Sequence, residues 1–263
     1  MILSSAPFVK KHERAIAKKV RGMKTPPTLA VVLIGNDPAS LSYVRQKERM
    51  AIQLGCGFFL LHLPENTTTD YIIAQVKKLN ANTAVHGIIV QLPLPKRIDT
   101  DRVLAAIAAK KDVDNLRGNS PFVAPAVAAI WEMLSYAGAP KTSDRIAIIG
   151  YGRVIGKPLY AFLRARGFNN IVVANHTTKN ISALTKDADI IVSGVGKANL
   201  ITTVKKGARV IDAGASIYKG TIVGDVHGAK VRSRAAILTP VPGGIGPLTV
   251  IHLFTNCVIA AQR

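Results

Sequence analysis

The chain has little cysteine: two residues in 263, and neither sits at a metal-ligand spacing. Cys56 and Cys257 fall in strand-like and helix-like segments and read as buried packing thiols of a reducing compartment, not as a disulfide. Aromatic residues make up only 5%, which leaves few rings for unpaired bases to stack on. No apolar run reaches the roughly 18 residues that a membrane-crossing helix needs. Met1 to Ser5 lead into no long apolar core behind a basic stretch, so no secretory signal is expected either. Acidic residues are scarce as well, 15 against 35 Lys and Arg, for a net charge of +20. Such an excess suits nucleic acid, an anionic membrane or an anionic small ligand. Its cations are spread over 10–21, 77–78, 96–97, 164–166, 205–206 and 230–234, however. Dispersed charge supplies non-specific attraction, so neither a specific nucleic-acid partner nor a membrane is expected.

What is present is a globular α/β pattern, with 48% apolar residues. A basic amphipathic helix over 10–23 is followed by strands at 29–34, 57–62 and 87–91, and by helices at 38–54, 70–80 and 101–109. This alternation predicts a small layer of parallel strands. Residues 111–121, rich in Asp, Asn, Gly and Pro, break the pattern, and a helix over 121–136 leads to a second set. Its strands are 145–149, 171–174, 190–193, 209–212 and 236–238, with a helix to 166 after the first and a terminal helix over 247–261. Two α/β units in one chain make the cleft between them the default ligand site.

Two stretches point to chemistry. After the continuously apolar 29–34, Gly35 and Asn36 turn the chain, Asp37 is placed to cap a helix, and Pro38 suits its first position. That helix carries Tyr43 and Lys47 four residues apart, on one face, at the carboxyl end of a strand, where open α/β sheets place ligands. Taken singly, such a pair is a solvated lysine beside a half-buried tyrosine. The second stretch is Gly150-Tyr151-Gly152-Arg153-Val154-Ile155-Gly156, between a strand and a helix, a turn of the dinucleotide type. After the next strand, the run Asn175-His176-Thr177-Thr178-Lys179 holds no acid to take a ribose hydroxyl, which favours a 2′-phosphate.

Six strings stand in order along the chain: Asp37-Pro38-Ala39-Ser40 with Tyr43-Val44 and Lys47; Gln91-Leu92-Pro93-Leu94-Pro95 behind Gly87; Lys111-Asp112-Val113-Asp114; Gly156-Lys157-Pro158; Gly224-Asp225-Val226; and Thr239-Pro240-Val241-Pro242-Gly243-Gly244-Ile245-Gly246-Pro247-Leu248-Thr249. Together they resemble the methylenetetrahydrofolate dehydrogenase/methenyltetrahydrofolate cyclohydrolase family over nearly the whole chain. The resemblance implies two α/β domains with parallel sheets, the second Rossmann-like, with a cleft between them. Residues 1–119 with the helix 246–263 would form the folate domain, and 120–245 the dinucleotide domain. It implies NAD(P)-dependent oxidation of 5,10-methylenetetrahydrofolate to the methenyl cation, and hydrolysis of that cation to 10-formyltetrahydrofolate.

The same resemblance assigns roles. Lys47 would be the acid/base, provided burial lowers its pKa. Gln91 would hold Lys47, Tyr43 would orient the folate, and Asp114 would accept hydrogen bonds from the pterin. Leu92, Pro242, Gly243 and Gly244 would line the substrate side. Gly150, Tyr151, Gly152, Arg153, Ile155, Gly156, His176, Thr178, Gly246 and Thr249 would serve NADP, or else NAD; no metal is implied. A homodimer in the cytoplasm is the expected form. The chain departs from the family pattern on the cofactor side: Tyr151 and Gly152 replace Arg and Ser, Phe122-Val123-Ala124-Pro125 replaces Pro-Cys-Thr-Pro, and Ala198 replaces Pro. Asn115 stands where Gly is usual after Asp114, whereas Tyr43, Lys47, Gln91 and Asp114 are kept. Three readings follow: both activities, a cyclohydrolase alone, or a non-catalytic descendant that binds RNA or another polyanion.

Overall fold

A strand that is apolar at every position needs cover on both faces, and β1 (Thr28–Ile34) has it: every residue but Thr28 is buried. In the computed structural model, which describes residues 1–263, an opening helix α1 (Ala6–Arg21) precedes this strand. β2 (Gly57–Leu63) and β3 (Gly87–Val90) flank β1 as parallel neighbours, in the order β2-β1-β3. The connections run through α2 (Pro38–Leu54) and α3 (Thr69–Ala81), and α4 (Thr100–Ala105) follows β3. Asp37 accepts from the Ser40 amide at 2.7 Å to start α2, and Gly55, at φ 73°, ends it in the left-handed conformation. Ala30, Val32, Ile72, Val76, Ile88 and Val103 close the core of this sheet.

The second sheet is led by α5 (Pro125–Tyr136) into β4 (Ile146–Ile149), buried at all positions. Then come α6 (Gly156–Arg164), β5 (Ile171–Ala174), α7 (Ile181–Asp187), β6 (Ile190–Ser193) and β7 (Arg209–Asp212). A short hairpin of β8 (Ser216–Tyr218) and β9 (Thr221–Val223), a turn of helix α8 (Gly228–Val231), β10 (Ile237–Leu238) and α9 (Ile245–Ala261) complete the chain. The five parallel strands lie in the order β10-β7-β6-β4-β5. Both sheets therefore begin with a strand that later strands flank on either side. The chain turns back at that point, and the carboxyl ends of the two strands leave a gap there.

Several elements differ from the sequence expectation for local reasons. The opening helix starts at Ala6, not residue 10, with the Ser4 hydroxyl accepting from the Ala6 amide. The helix expected over 101–109 stops at Ala105, because the Asn80 side chain donates to the Ala106 carbonyl and accepts from the Ala108 amide. The helix expected from 121 starts at Pro125, since the Asn115 amide holds the Phe122 carbonyl outside any helix. The β8–β9 hairpin and α7 were not expected; strands of three residues are too short to show an alternation.

The chain divides into two compact units: Met1–Val9 with Ala126–Thr249, and Lys10–Pro125 with Val250–Arg263. Met1–Val9 belongs with the five-stranded sheet, because Ile2 bridges Leu238 and the Ser5 amide donates to Gly243. In the other unit the end of α9 packs against β3. A Cβ at Gly87 would come within 2.8 Å of Val113 and 3.2 Å of the Cys257 sulfur. Both cysteines are free and buried, and burial pushes the Cys56 thiol up to about 11 and that of Cys257 further still. No helix is long and apolar enough to cross a membrane.

Asn256 of α9 donates through one amide nitrogen to the carbonyls of Val113, at 2.8 Å, and Val123, at 2.9 Å. Asn256→Ala leaves both carbonyls without that donor in a place with little water. It is expected to cost about 1–3 kcal/mol, read from the urea unfolding midpoint at constant slope. An unchanged midpoint would mean that water takes over the two carbonyls.

Candidate active site

The gap of the three-stranded sheet holds four of the residues singled out by sequence. α2 leaves β1 and carries Lys47 over the carboxyl ends of β1 and β3. Gln91 continues β3 by one residue, its amide donating to Val32 of β1. Lys47 Nζ donates to Gln91 Oε1 at 2.9 Å, and Gln91 Nε2 donates to the Leu92 carbonyl at 2.8 Å, which fixes the orientation of the amide. The Leu92 side chain packs on the core below. Tyr43 lies one turn before Lys47, with Nζ 5.9 Å from its ring centroid, and is 40% exposed. An aromatic face left open to solvent beside a half-buried lysine is a surface on which a flat ligand can stack.

Asp114 supplies the opposite charge. Burial lowers the Lys47 pKa below that of an ordinary amine, and the field of Asp114 pulls it partly back. Burial pushes the Asp114 carboxyl up to about 6; Lys47 draws it down, and Asp112 pushes it up. The pair thus brings an amine and a carboxyl towards neutral pH from opposite sides, the condition for moving protons at that pH.

A framework that the spacing did not reveal holds Asp114 in place. Asp112 is fully buried and accepts from the amides of Leu116 and Arg117, at 3.1 and 2.9 Å. Lys111 sends its ammonium to the carbonyls of Leu79 and Asn82 at the end of α3. Asn115, where the resemblance leads one to expect Gly, takes φ 53°, a conformation open to Asn. Its side chain also ties the loop ahead, donating to Phe122 and accepting from Ser120. Strings such as Lys111-Asp112-Val113-Asp114 flag the loop, but only its folded backbone, which turns the Leu116 and Arg117 amides onto Asp112, shows which of its acids is structural.

The remaining candidates lie in the other unit. Gly150, at φ 96°, ends β4, and Gly156 starts α6 so close to it that a Cβ would sit 2.0 Å from the Gly150 carbonyl oxygen. Nothing lies within 4 Å of a Cβ at Gly152, so the space outside the turn is open. Ile155 precedes α6 without a side-chain cap, which leaves the start of the helix to an external acceptor. These features fit a dinucleotide pyrophosphate. Tyr151 is 38% exposed and meets the ring of Tyr160 edge-on at 5.9 Å. Arg153, His176 and Lys179 are exposed, and Thr178 closes the turn after β5 by accepting from the Asn175 amide at 3.1 Å.

Before α9, Pro242 is exposed, while the Gly243 carbonyl is taken by Ser4 and Ser5. Gly244 is buried where a Cβ would sit 2.3 Å from the Pro240 carbonyl oxygen. On α9, Gly246 has open space around it, and the Thr249 hydroxyl donates to Ile245 at 3.0 Å.

Residues 3–114 match the model of the tetrahydrofolate dehydrogenase/cyclohydrolase catalytic domain, and residues 124–263 that of the tetrahydrofolate dehydrogenase/cyclohydrolase NAD(P)-binding domain. The bifunctional protein FolD of Heliobacterium modesticaldum is 41% identical, over 90% of this chain and 86% of that protein. The protein of the same name from Macrococcus caseolyticus is 35% identical, over 100% and 98%. Among solved structures, the bifunctional FolD of Campylobacter jejuni superposes with a TM-score of 0.92 at 32% identity, covering 100% of this chain and 98% of that one. FolD of Trypanosoma brucei, complexed with NADP cofactor and inhibitor, superposes with a TM-score of 0.93 at 31% identity, covering 100% and 97%. With both of the family's domain models matched, over residues 3–114 and 124–263, the chain belongs to the tetrahydrofolate dehydrogenase/cyclohydrolase family.

Proposed function

We propose that this chain carries both activities for which its family is named. It oxidises 5,10-methylenetetrahydrofolate to the 5,10-methenyl cation and hydrolyses the cation to 10-formyltetrahydrofolate. The observation that carries the reading is the desolvated Lys47 ammonium, held by Gln91 at 2.9 Å beside a carboxyl raised to about 6.

In the hydrolytic step, water adds to the methenyl carbon and gives one proton to neutral Lys47 Nζ. As the carbonyl forms, the remaining hydroxyl proton leaves to solvent. The carbon–nitrogen bond to N5 breaks, and N5 takes the proton held by Lys47. Gln91 keeps the amine aimed through this exchange, and Tyr43 offers its exposed face to the folate. Asp114 accepts the N–H donors of the pterin and tunes Lys47. Leu92, Pro242, Gly243 and Gly244 are assigned to the substrate, and the folate domain expected over 1–119 and 246–263 corresponds to the compact unit of 10–125 and 250–263.

NADP, when bound, supplies the hydride acceptor for the first step. Gly150, Gly152, Ile155 and Gly156 would hold its pyrophosphate at the start of α6, and Tyr151, Gly246 and Thr249 would support it. Arg153, His176 or Lys179 would meet the 2′-phosphate in place of the Arg and Ser that Tyr151 and Gly152 have displaced, with Thr178 on the same cofactor side. The working form is a homodimer in the cytoplasm. Two free buried thiols suit a reducing compartment, and the exposed Ile217 and Ile222 of the β8–β9 hairpin offer an apolar surface that a second copy can cover.

The test follows methenyl absorbance in two assays, its appearance from methylenetetrahydrofolate with NADP or NAD, and its decay by hydrolysis. Turnover with NADP supports the reading. Hydrolysis without turnover leaves a cyclohydrolase alone, and neither activity leaves the polyanion-binding descendant. Lys47→Met is expected to slow hydrolysis by about 10²–10⁴-fold without lowering the urea midpoint, because the variant buries no ammonium.

The pH profile gives a separate check. The negative charge of Asp114 opposes loss of the Lys47 proton. In Asp114→Asn that opposition is gone, so Lys47 becomes a base at lower pH, and the rising limb of hydrolytic kcat moves to lower pH. A limb that stays in place, or moves up, would show that Lys47 is not the group being titrated.

A further inference from the structure

Buried carboxylates outside the site just described are few, and one of them holds a loop against the dinucleotide turn. Asp225 is fully buried after β9, and its two oxygens take three donors. Oδ2 accepts from the Ser193 hydroxyl at 2.6 Å and the Val195 amide at 2.7 Å, and Oδ1 accepts from the Lys197 amide at 2.7 Å. All three donors belong to the end of β6 and the loop that follows it. The backbone of Asp225 is itself pinned: its amide donates to Asp212 Oδ1 at 3.1 Å, and its carbonyl accepts from Ile201 at 2.9 Å. Space for the carboxylate exists because residue 214 is glycine; a Cβ there would lie 2.1 Å from Asp225 Cγ.

The loop held in this way is part exposed and part packed. Val195 is 45% exposed, and Gly196 turns the chain at φ 76°. Its inner side meets the turn after β4. A Cβ at Gly150 would come within 3.0 Å of the Val195 side chain and 3.1 Å of the Gly194 carbonyl oxygen. A Cβ at Gly194 would come within 2.8 Å of the Ile155 side chain. The loop thus forms the wall against which both ends of the Gly150–Ile155 turn rest, at the point where the five-stranded sheet changes direction. A displacement of this wall reaches the turn directly, because the two segments lie too close for a side chain to fit at Gly150 or Gly194.

We infer that Asp225 is a positioning residue for dinucleotide binding: by gathering the 193–197 loop onto one carboxylate, it sets the wall of the turn that receives the cofactor pyrophosphate. This rests on the proposed dinucleotide reading of that turn and adds to it a residue that touches no cofactor. The pyrophosphate is common to NADP and NAD, so the effect is the same for both and leaves the choice between them untouched.

Asp225→Asn replaces one acceptor oxygen with a donor that faces an N–H or O–H group, so at least one of the three bonds is lost. Calorimetric titration of the full-length protein with NADP and with NAD is the primary readout, with hydrolysis of methenyltetrahydrofolate and the urea midpoint measured alongside. The dissociation constants for both dinucleotides are expected to rise by about tenfold, with hydrolytic kcat within about twofold of the parent, since the hydrolytic residues lie in the other compact unit. Ser193→Ala removes a single donor and leaves the carboxylate intact, and it is expected to give a smaller rise of the same kind. Unchanged binding in both variants overturns the proposal. Equal loss of binding and of hydrolysis, with a lowered midpoint, also overturns it, because the carboxylate would then serve folding alone. A parent protein that binds neither dinucleotide overturns the dinucleotide reading itself, and this proposal falls with it.

Discussion

A lysine ammonium withdrawn from water over the ends of two parallel strands is the constraint around which the 10–125 unit is arranged. An amine in that position costs free energy unless donors and acceptors meet it. Gln91 supplies the acceptor at 2.9 Å, and Asp114 supplies the charge. Each of these partners needs its own support. Gln91 is oriented by the Leu92 carbonyl, and the loop of Asp114 is held by Asp112, Asn115 and Lys111. Asn256, far along the chain on α9, secures the same loop from below through Val113. The reward for this expense is an amine whose proton affinity has moved towards the pH at which it must work.

The five-stranded unit repeats the geometry with different chemistry. Its first strand is also flanked on both sides by later ones, and its gap is lined by backbone, not by a buried amine. Gly150, Gly156 and Gly194 allow two loops to touch where side chains would collide. The negative charge that holds the arrangement, Asp225, is buried out of reach of solvent. Buried ionisable side chains hold backbone in both units, Asp112 and Lys111 in one and Asp225 in the other, and the first unit adds the pair of Lys47 and Asp114.

The departures from the family pattern sort along the same line. Tyr151 and Gly152 change the outer rim of a turn whose inner contacts are intact, so the frame survives while the polar groups offered to a 2′-phosphate differ. Asn115 replaces a glycine without strain, because asparagine enters the left-handed region and its amide then bridges Ser120 and Phe122. The loop gains from that side chain two bonds that glycine could not make.

Much of this was legible in the chain itself. Alternating apolar runs and turn residues placed both parallel layers, and Asp37 and Pro38 marked the start of the helix that carries Lys47, because caps and turns are decided by neighbours in sequence. Helix ends governed by distant side chains were misjudged: Asn80 stops α4 and Asn115 delays α5, and neither partner is within reach of a local pattern. The sequence by itself determined which residues are candidates, through motifs whose spacing follows from turns and helical faces. Only the tertiary structure decided what they are chemically. The lowered pKa of Lys47 arises from desolvation by segments dozens of residues apart, and the hold of Asp225 on its loop joins β9 to β6; both are properties of convergence in space, which no single stretch of chain encodes.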